Sequence, residues 1–479
     1  MKIIPLGTLL ILLTSSLYSQ SELLMEHQIE DAFVKSDIIS DLECMIESIE
    51  EVHPDPYHGS SKEQILSLKD RIIAFLPDTV SKHQAYLIYK RMTAAYKEGH
   101  TDVLLFITEK DLPRYQESLP LWIDSYNESG FIVKANAIDS IGIGTGDIIT
   151  SINGIPESRI KDEICMYSGE SDTYALNEAV GFLFPLWIEL LDIKSPFIIE
   201  YLRNGQSGTV RMQGISAKLY SERYEAYMNQ NQQPFHFKIL EDHIAYIEFN
   251  DFDYPDMFRK FLRRSFKKMQ KNDCEGLIID IRNNGGGKED LGPMLIDYFS
   301  DKPYTRTYAA DRKVSPYYKD YQKAIARMDQ FKYLNVDTLS AYFNEPNGTI
   351  YKERDTTIIH PSNNKLRFKG KVCVLIGPKC FSYANAFAVL IKKHGFATLI
   401  GEPLEESQDG YASTCRILLP KTRFVFKTST AYFLPIDIDN RSPIQPDIFV
   451  NQTLEDTKKK TDSILEYAKK WISNESLNE

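Results

Sequence analysis

Gly276-Leu277-Ile278-Ile279-Asp280-Ile281 is an apolar run that ends in Arg282-Asn283-Asn284-Gly285-Gly286-Gly287. A strand that is apolar on both faces must be covered on both sides, which is the situation of a parallel sheet in an α/β fold. Lys371–Ile376 repeats the pattern, and Ile244–Phe249 and Ala397–Ile400 add two more strand-like runs. Between them, Phe258–Met269 and Ser382–Lys393 place apolar residues at helical spacing. Strands alternating with helices predict an α/β unit with a largely parallel sheet over residues 236–452.

The 479 residues leave room for more than one domain. Residues 20–115 read as mainly helical. Ile38, Leu42, Met45, Ile46 and Ile49 recur at helical spacing, as do Ala85, Ile88, Tyr89 and Met92, with Pro54 and Pro56 punctuating between helices. Residues 116–217 read as a β-rich insert containing Gly146-Asp147-Ile148-Ile149-Thr150-Ser151-Ile152-Asn153-Gly154. Gly142, Gly144 and Gly146 make a weak phosphate-loop signal, because no Lys-Ser/Thr follows. The segment instead resembles the G-D-x-I-x-x-I-N-G stretch of PDZ domains, where Asn-Gly makes a tight turn. Such units bind extended peptides at a sheet edge. Residues 453–479 read as one amphipathic helix, Leu454–Ile472, and a tail.

Lys2, the apolar Ile3–Leu13 and the small and polar residues up to Gln20 form the pattern of a secretory signal peptide, residues 1–19. This implies export to the periplasm or the exterior. No later segment is long and apolar enough to span a bilayer, so no stable membrane span is expected after removal of the signal. A net charge of −11 without a dense Lys/Arg stripe argues against a nucleic-acid partner, and Lys267-Lys268 reads as a solvated helix face. The six Cys form no C-x-x-C pair and no His clusters beside them, so no metal or other cofactor is expected. Cys274 and Cys373, beside apolar runs, read as free thiols.

Two loops carry the candidate chemistry. Gly285, Gly286 and Gly287 follow a buried strand, where a sharp turn exposes backbone N–H groups suited to an oxyanion. In Cys380-Phe381-Ser382-Tyr383-Ala384 a strand ends, the chain turns and a Ser stands where an apolar helix begins. That places a hydroxyl near the positive end of a helix. Ser is also a common N-cap, whose side chain then closes on the helix backbone.

Together these loops resemble the peptidase family S41, which includes tail-specific proteases and the tricorn core. The likeness extends to Gly99-His100-Thr101, to Ala397–Glu402 and to Pro446-Asp447-Ile448. It implies a ClpP/crotonase-like spiral core and a serine-type peptidase acting on polypeptides. By the same likeness Ser382 is the nucleophile, and the N–H of Tyr383 joins Gly285, Gly286 and Gly287 around the oxyanion. The position where tail-specific members carry a Lys base falls on Ser407; Lys393 and Lys421, the nearest, are poorly placed. Tricorn-like members use a His, which corresponds to His100, and an acid just before the closing Pro-Asp. Asp437, Asp439 and Asn440 stand there, and Asp439 is taken as the acid. Glu98 replaces the Asp that often precedes Gly-His-Thr. A second reading is an inactive relative that binds peptides or envelope components through the PDZ-like unit. A third, a crotonase-type acyl-CoA enzyme, is opposed by the expected export and by the Ser elbow.

Overall fold

The computed structural model describes residues 29–104, 117–138, 142–169, 171, 175–176, 179–180, 184–231, 234–241, 243–306, 308–326, 341–354, 357–436, 441–459 and 461–473. The expected signal segment lies outside them. Among the described residues no helix is long and apolar enough to cross a membrane.

The N-terminal region holds β1 (Ala32–Val34), α1 (Lys35–Val52), α2 (Lys62–Phe75), β2 (Thr79–Ser81), α3 (Lys82–Ala94) and β3 (Asp102–Val103). α2 and α3 begin alike: Ser61 and Ser81 accept the N–H of Gln64 and Gln84, whose side chains return to the serine N–H. The helical reading omits the short strands β1 and β2; β3, where a strand-like run begins at Val103, matters for the site.

The next unit contains β4 (Leu121–Asn127), β5 (Gly130–Asn136), β6 (Ile148–Ile152), β7 (Ile155–Pro156), α4 (Glu157–Cys165), α5 (Phe184–Leu190), β8 (Phe197–Arg203) and β9 (Gln206–Met212). Its sheet runs β4-β5-β6-β8-β9, with β7 on β6. Asn153 and Gly154, at φ 52° and 76°, make the tight turn between β6 and β7. α6 (Ala217–Asn231) leads into the last unit.

There β10 (Phe235–Ile239), β11 (Ile244–Phe249), α7 (Pro255–Lys271), β12 (Gly276–Asp280) and α8 (Leu291–Ile296) come first. β13 (Tyr304–Thr305), β14 (Tyr308–Lys313), α9 (Pro316–Ala326), β15 (Ile350–Glu353), β16 (Ile358–Ile359), β17 (Lys371–Ile376) and α10 (Tyr383–His394) follow. β18 (Thr398–Gly401), β19 (Gly410–Leu418), β20 (Val425–Pro435), β21 (Ile448–Phe449), α11 (Leu454–Lys459) and α12 (Ser463–Ser473) complete the chain. The main sheet has the order β10-β11-β12-β17-β18-β21, antiparallel at β10–β11 and parallel at the other four pairings.

The double-sided apolar pattern of β12 and β17 has a direct cause. Leu277, Ile279, Val374 and Ile376 pack against Phe258, Leu262 and Phe266 of α7 and Phe387 and Ile391 of α10. Ile278, Cys373 and Leu375 face the other way, onto Ile464, Ala468 and Ile472 of α12. Burying each large side chain contributes about 1.5–3 kcal/mol before ordering costs. Lys267 and Lys268 lie exposed on α7, and none of the six Cys forms a disulfide.

The expected single helix Leu454–Ile472 is instead two, α11 and α12. Asp462 interrupts it: its carboxylate accepts the N–H of Leu465 and binds Arg282, which requires a start to a new helix. A second sheet, β15-β14-β20-β19, lies apart from the parallel one, and β3 pairs with β20. Cys415, Ile417, Phe424 and Phe426 of that sheet region join α1 and α3 in one core. This packing carries the loop before β3 to the end of β17.

Candidate active site

Arg282 shapes the glycine turn. Its guanidinium grips Asp280 at 2.6 Å and Asp462 at 2.7 Å, so the Asp-x-Arg of the motif is a clamp at the strand end. Tyr246 donates its hydroxyl to the same Asp280 carboxylate, at 2.8 Å.

Asn284, fully buried, ties the two loops together. Its side-chain amide donates to the Phe249 carbonyl and its carbonyl oxygen accepts the N–H of Gly286, both at 2.8 Å. Its backbone carbonyl accepts the N–H of Phe381, next to Ser382, at 3.1 Å. Gly286, at φ 102°, lies so close to the elbow that a Cβ would stand 2.8 Å from the Phe381 carbonyl, Ser382 Cβ and Tyr383 nitrogen. Only glycine fits there. Of the four expected oxyanion donors, Gly286 therefore has its N–H held by Asn284, whereas among the described residues no hydrogen bond takes the N–H of Gly285 or Tyr383.

Ser382 has φ 54° and ψ −122°, a conformation strained for a residue with a Cβ. It precedes α10 without capping it through its side chain. The hydroxyl is thus left for other use, as at a nucleophile elbow. The Ser382 N–H is held at 2.6 Å by Glu406, beside the Ser407 position where a Lys base would stand. Lys393 is engaged elsewhere, donating to the Ile436 carbonyl, and Lys379, just before the elbow, donates to the Asp124 carbonyl on β4.

The His100 Nε2 lies 3.4 Å from Ser382 Oγ. The ring stacks on Phe381 with centroids 4.9 Å apart. On its other side, Nδ1 lies 3.6 Å from Glu98 Oε1. The buried Glu98 carboxylate also receives the His100 N–H at 2.7 Å, the Ser429 hydroxyl at 2.9 Å and the Thr101 hydroxyl. Its Oε2 is 3.6 Å from Nε2 of the buried His53.

Burial favours the neutral form of Glu98, but the polar approach of His53, the charges of His100 and His53 and the Thr101 hydroxyl outweigh it, holding the carboxyl at about 2. Burial brings the His100 imidazole down to about 4; Glu98 opposes this, Lys427 adds to it and a backbone hydrogen bond with Tyr411 opposes it. His100 is therefore a neutral base at pH 7. Asp439 lies outside the described residues, and the carboxylate found beside His100 is Glu98. No group of residues suited to a metal occurs among the described residues.

A serine on a strand–turn–helix elbow, faced by a neutral histidine with a carboxylate behind it, is the arrangement that can activate a serine hydroxyl as a nucleophile. Residues 243–450 match the model of peptidase family S41, so this part of the chain is an S41 peptidase domain. No curated protein matches the chain. Among solved structures, mature CPAF is similar with a TM-score of 0.63 at 15% identity, over 92% of this chain and 98% of that one. Mature CPAF complexed with lactacystin gives 0.62 at 15% identity, over 92% and 98%. The photosystem II D1 C-terminal processing protease gives 0.44 at 15% identity, over 87% and 93%. At this identity the likeness to CPAF shows a shared fold.

Proposed function

We propose that the chain is an exported serine peptidase in which Ser382 attacks the scissile carbonyl of a polypeptide and His100 takes its proton. His100 then delivers that proton to the leaving amine. Glu98 fixes the imidazole tautomer with the proton on Nδ1 and stabilises the imidazolium once it forms. The N–H groups of Tyr383 and the Gly285–Gly287 turn receive the oxyanion, that of Gly286 after release from Asn284.

The observation that carries this reading is the 3.4 Å separation of His100 Nε2 and Ser382 Oγ across 282 residues of sequence. Separations of this kind commonly shorten when substrate binds. A fluorophosphonate should label Ser382 in the parent, and neither Ser382→Ala nor His100→Ala should react. Unchanged labelling of Ser382→Ala would refute the assignment of the nucleophile.

Within the same reading, residues 1–19 are an export signal and the sheet of β4 to β9 is a PDZ-like unit that presents an edge to the substrate chain. The Asn153-Gly154 turn after β6 supports the PDZ likeness. N-terminal sequencing of the envelope fraction tests export: an intact Met1 on a cytoplasmic protein would sink it.

A further inference from the structure

Behind the Ser382–His100–Glu98 row stands a residue that neither the motifs nor the reaction calls for. His53 closes α1 and begins the His53-Pro54-Asp55-Pro56 loop, far from Glu98 in sequence. It is buried, and its Nε2 faces the Glu98 oxygen that His100 does not use, at 3.6 Å. Resting on the reading of Ser382 and His100 as the reacting pair, we infer that His53 is a positioning residue that holds the Glu98 carboxylate, and through it the His100 ring, in the working orientation.

The tautomer of His53 follows from its neighbours. The N–H of Asp55 donates to His53 Nδ1 at 3.1 Å, so that nitrogen must carry its lone pair. The ring proton then sits on Nε2, aimed at Glu98. Pro54 and Pro56 restrict the loop on either side of this contact. The ring is packed against Tyr411, with centroids 4.5 Å apart, and stacks on His58 at 5.6 Å. Besides Glu98, the titratable groups facing it are thus Asp55, His58 and Tyr411.

A buried carboxylate needs all its lone pairs occupied. With Ser429, the His100 N–H and His100 Nδ1 on the Oε1 side, and Thr101 and His53 on the Oε2 side, both oxygens of Glu98 face donors. Without His53, the carboxylate has one donor fewer and is freer to turn. Its charge then acts more strongly on His100, which binds its proton more tightly and is less well oriented toward Ser382.

Two variants separate this role from simple packing. His53→Phe keeps a ring against Tyr411 but removes the donor. His53→Gln keeps an N–H donor of similar reach. An NMR titration of the His100 imidazole in the full-length protein should show a raised pKa in His53→Phe and a return toward the parent value in His53→Gln. A His100 titration that does not move in a folded His53→Phe overturns the proposal. On a peptide substrate, His53→Phe should lower kcat about 10–100-fold with little change in KM, the size of effect seen for groups that orient a functional histidine from one step away. His53→Gln should recover most of that loss. Full kcat in His53→Phe, or no recovery in His53→Gln, also overturns it. If the parent fails to label at Ser382, the peptidase reading falls by itself, and the titration still decides whether His53 governs Glu98 and His100.

Discussion

The carboxylate of Glu98 stands 3.6 Å from Nδ1 of His100, while Nε2 of the same ring faces Ser382 at 3.4 Å. Glu98→Gln keeps the shape but loses the charge and turns an acceptor into a donor among groups that themselves donate. Its kcat should fall by about 10²–10⁴, toward the loss that follows when the acid of a triad is replaced by its amide. The Glu98 charge raises the His100 pKa, so the acid limb of any residual activity should move to lower pH. Steady-state kinetics across pH test both. A variant with parental kcat would release Glu98 from this role.

The pH profile of the parent follows from the same ring. In the proposed mechanism neutral His100 is the base, and burial first among its influences brings its pKa down to about 4. The acid limb of kcat/KM should therefore lie near 4, well below that of an exposed histidine. A limb between 6 and 7 would show that the buried, neutral state is wrong.

Stability should follow the same groups. Glu98 and His100 both have folded-state pKa values below their ordinary ones, about 2 and about 4. A depressed pKa contributes stability that is present above the unfolded value and is lost as pH falls through the folded one. Between about pH 6.5 and 4 the unfolded chain gains the His100 proton more readily, and between about 4.5 and 2 that of Glu98. Tm should thus decline from pH 6.5 downward, and His100→Phe should flatten the upper part of the decline. A His100→Phe melt with the same slope there would exclude His100 as its source.

Much of the core can be read from the sequence because parallel strands bury both faces, so β12 and β17 appear as apolar runs with no competing interpretation. The Ser elbow and the glycine turn are visible for a related reason: each is a short local motif at a strand end. The roles of Glu98 and His53 are not legible in this way. Both depend on α1, α3 and β3 packing on an antiparallel sheet formed by β14, β15, β19 and β20, contacts between residues hundreds of positions apart. The Glu98-x-His100 spacing is a local signal, since two residues in a turn can share a hydrogen bond, whereas Asp439 lies outside the described residues. The split of α11 from α12 was hidden because the Asp462 partner is Arg282, in another element.

The clamp at the strand end gives a stability prediction. Arg282 joins Asp280, which is buried, to Asp462 through paired contacts of 2.6 and 2.7 Å. Arg282→Met would leave Asp280 with Tyr246 alone as a side-chain partner among the described residues and would free α12 from the turn. Removing one member of a buried pair typically costs about 3–5 kcal/mol, and the half-exposed Asp462 puts this case at the lower end. Chemical denaturation should show a loss of about 3 kcal/mol. A loss under about 1 kcal/mol would mean that the pair acts as a screened surface bridge.

The last prediction separates two adjacent glycines. A Cβ at Gly286 would stand 2.8 Å from Phe381, Ser382 and Tyr383 atoms, in backbone at φ 102°, whereas a Cβ at Gly285 meets nothing within 4 Å. Gly286→Ala must therefore push the glycine turn and the Ser382 elbow apart. That displaces the Tyr383 N–H from the oxyanion and the Ser382 hydroxyl from His100. Loss of one oxyanion donor alone costs about 10²–10³ in turnover, so Gly286→Ala should lose at least that. Gly285→Ala should fold normally and keep its N–H, with activity within about tenfold of the parent, because the added methyl enters open space and costs no donor. Both variants can be compared by labelling rate and by turnover of one peptide. Equal activity in the two would show that the close approach of Gly286 to the elbow does not shape the site.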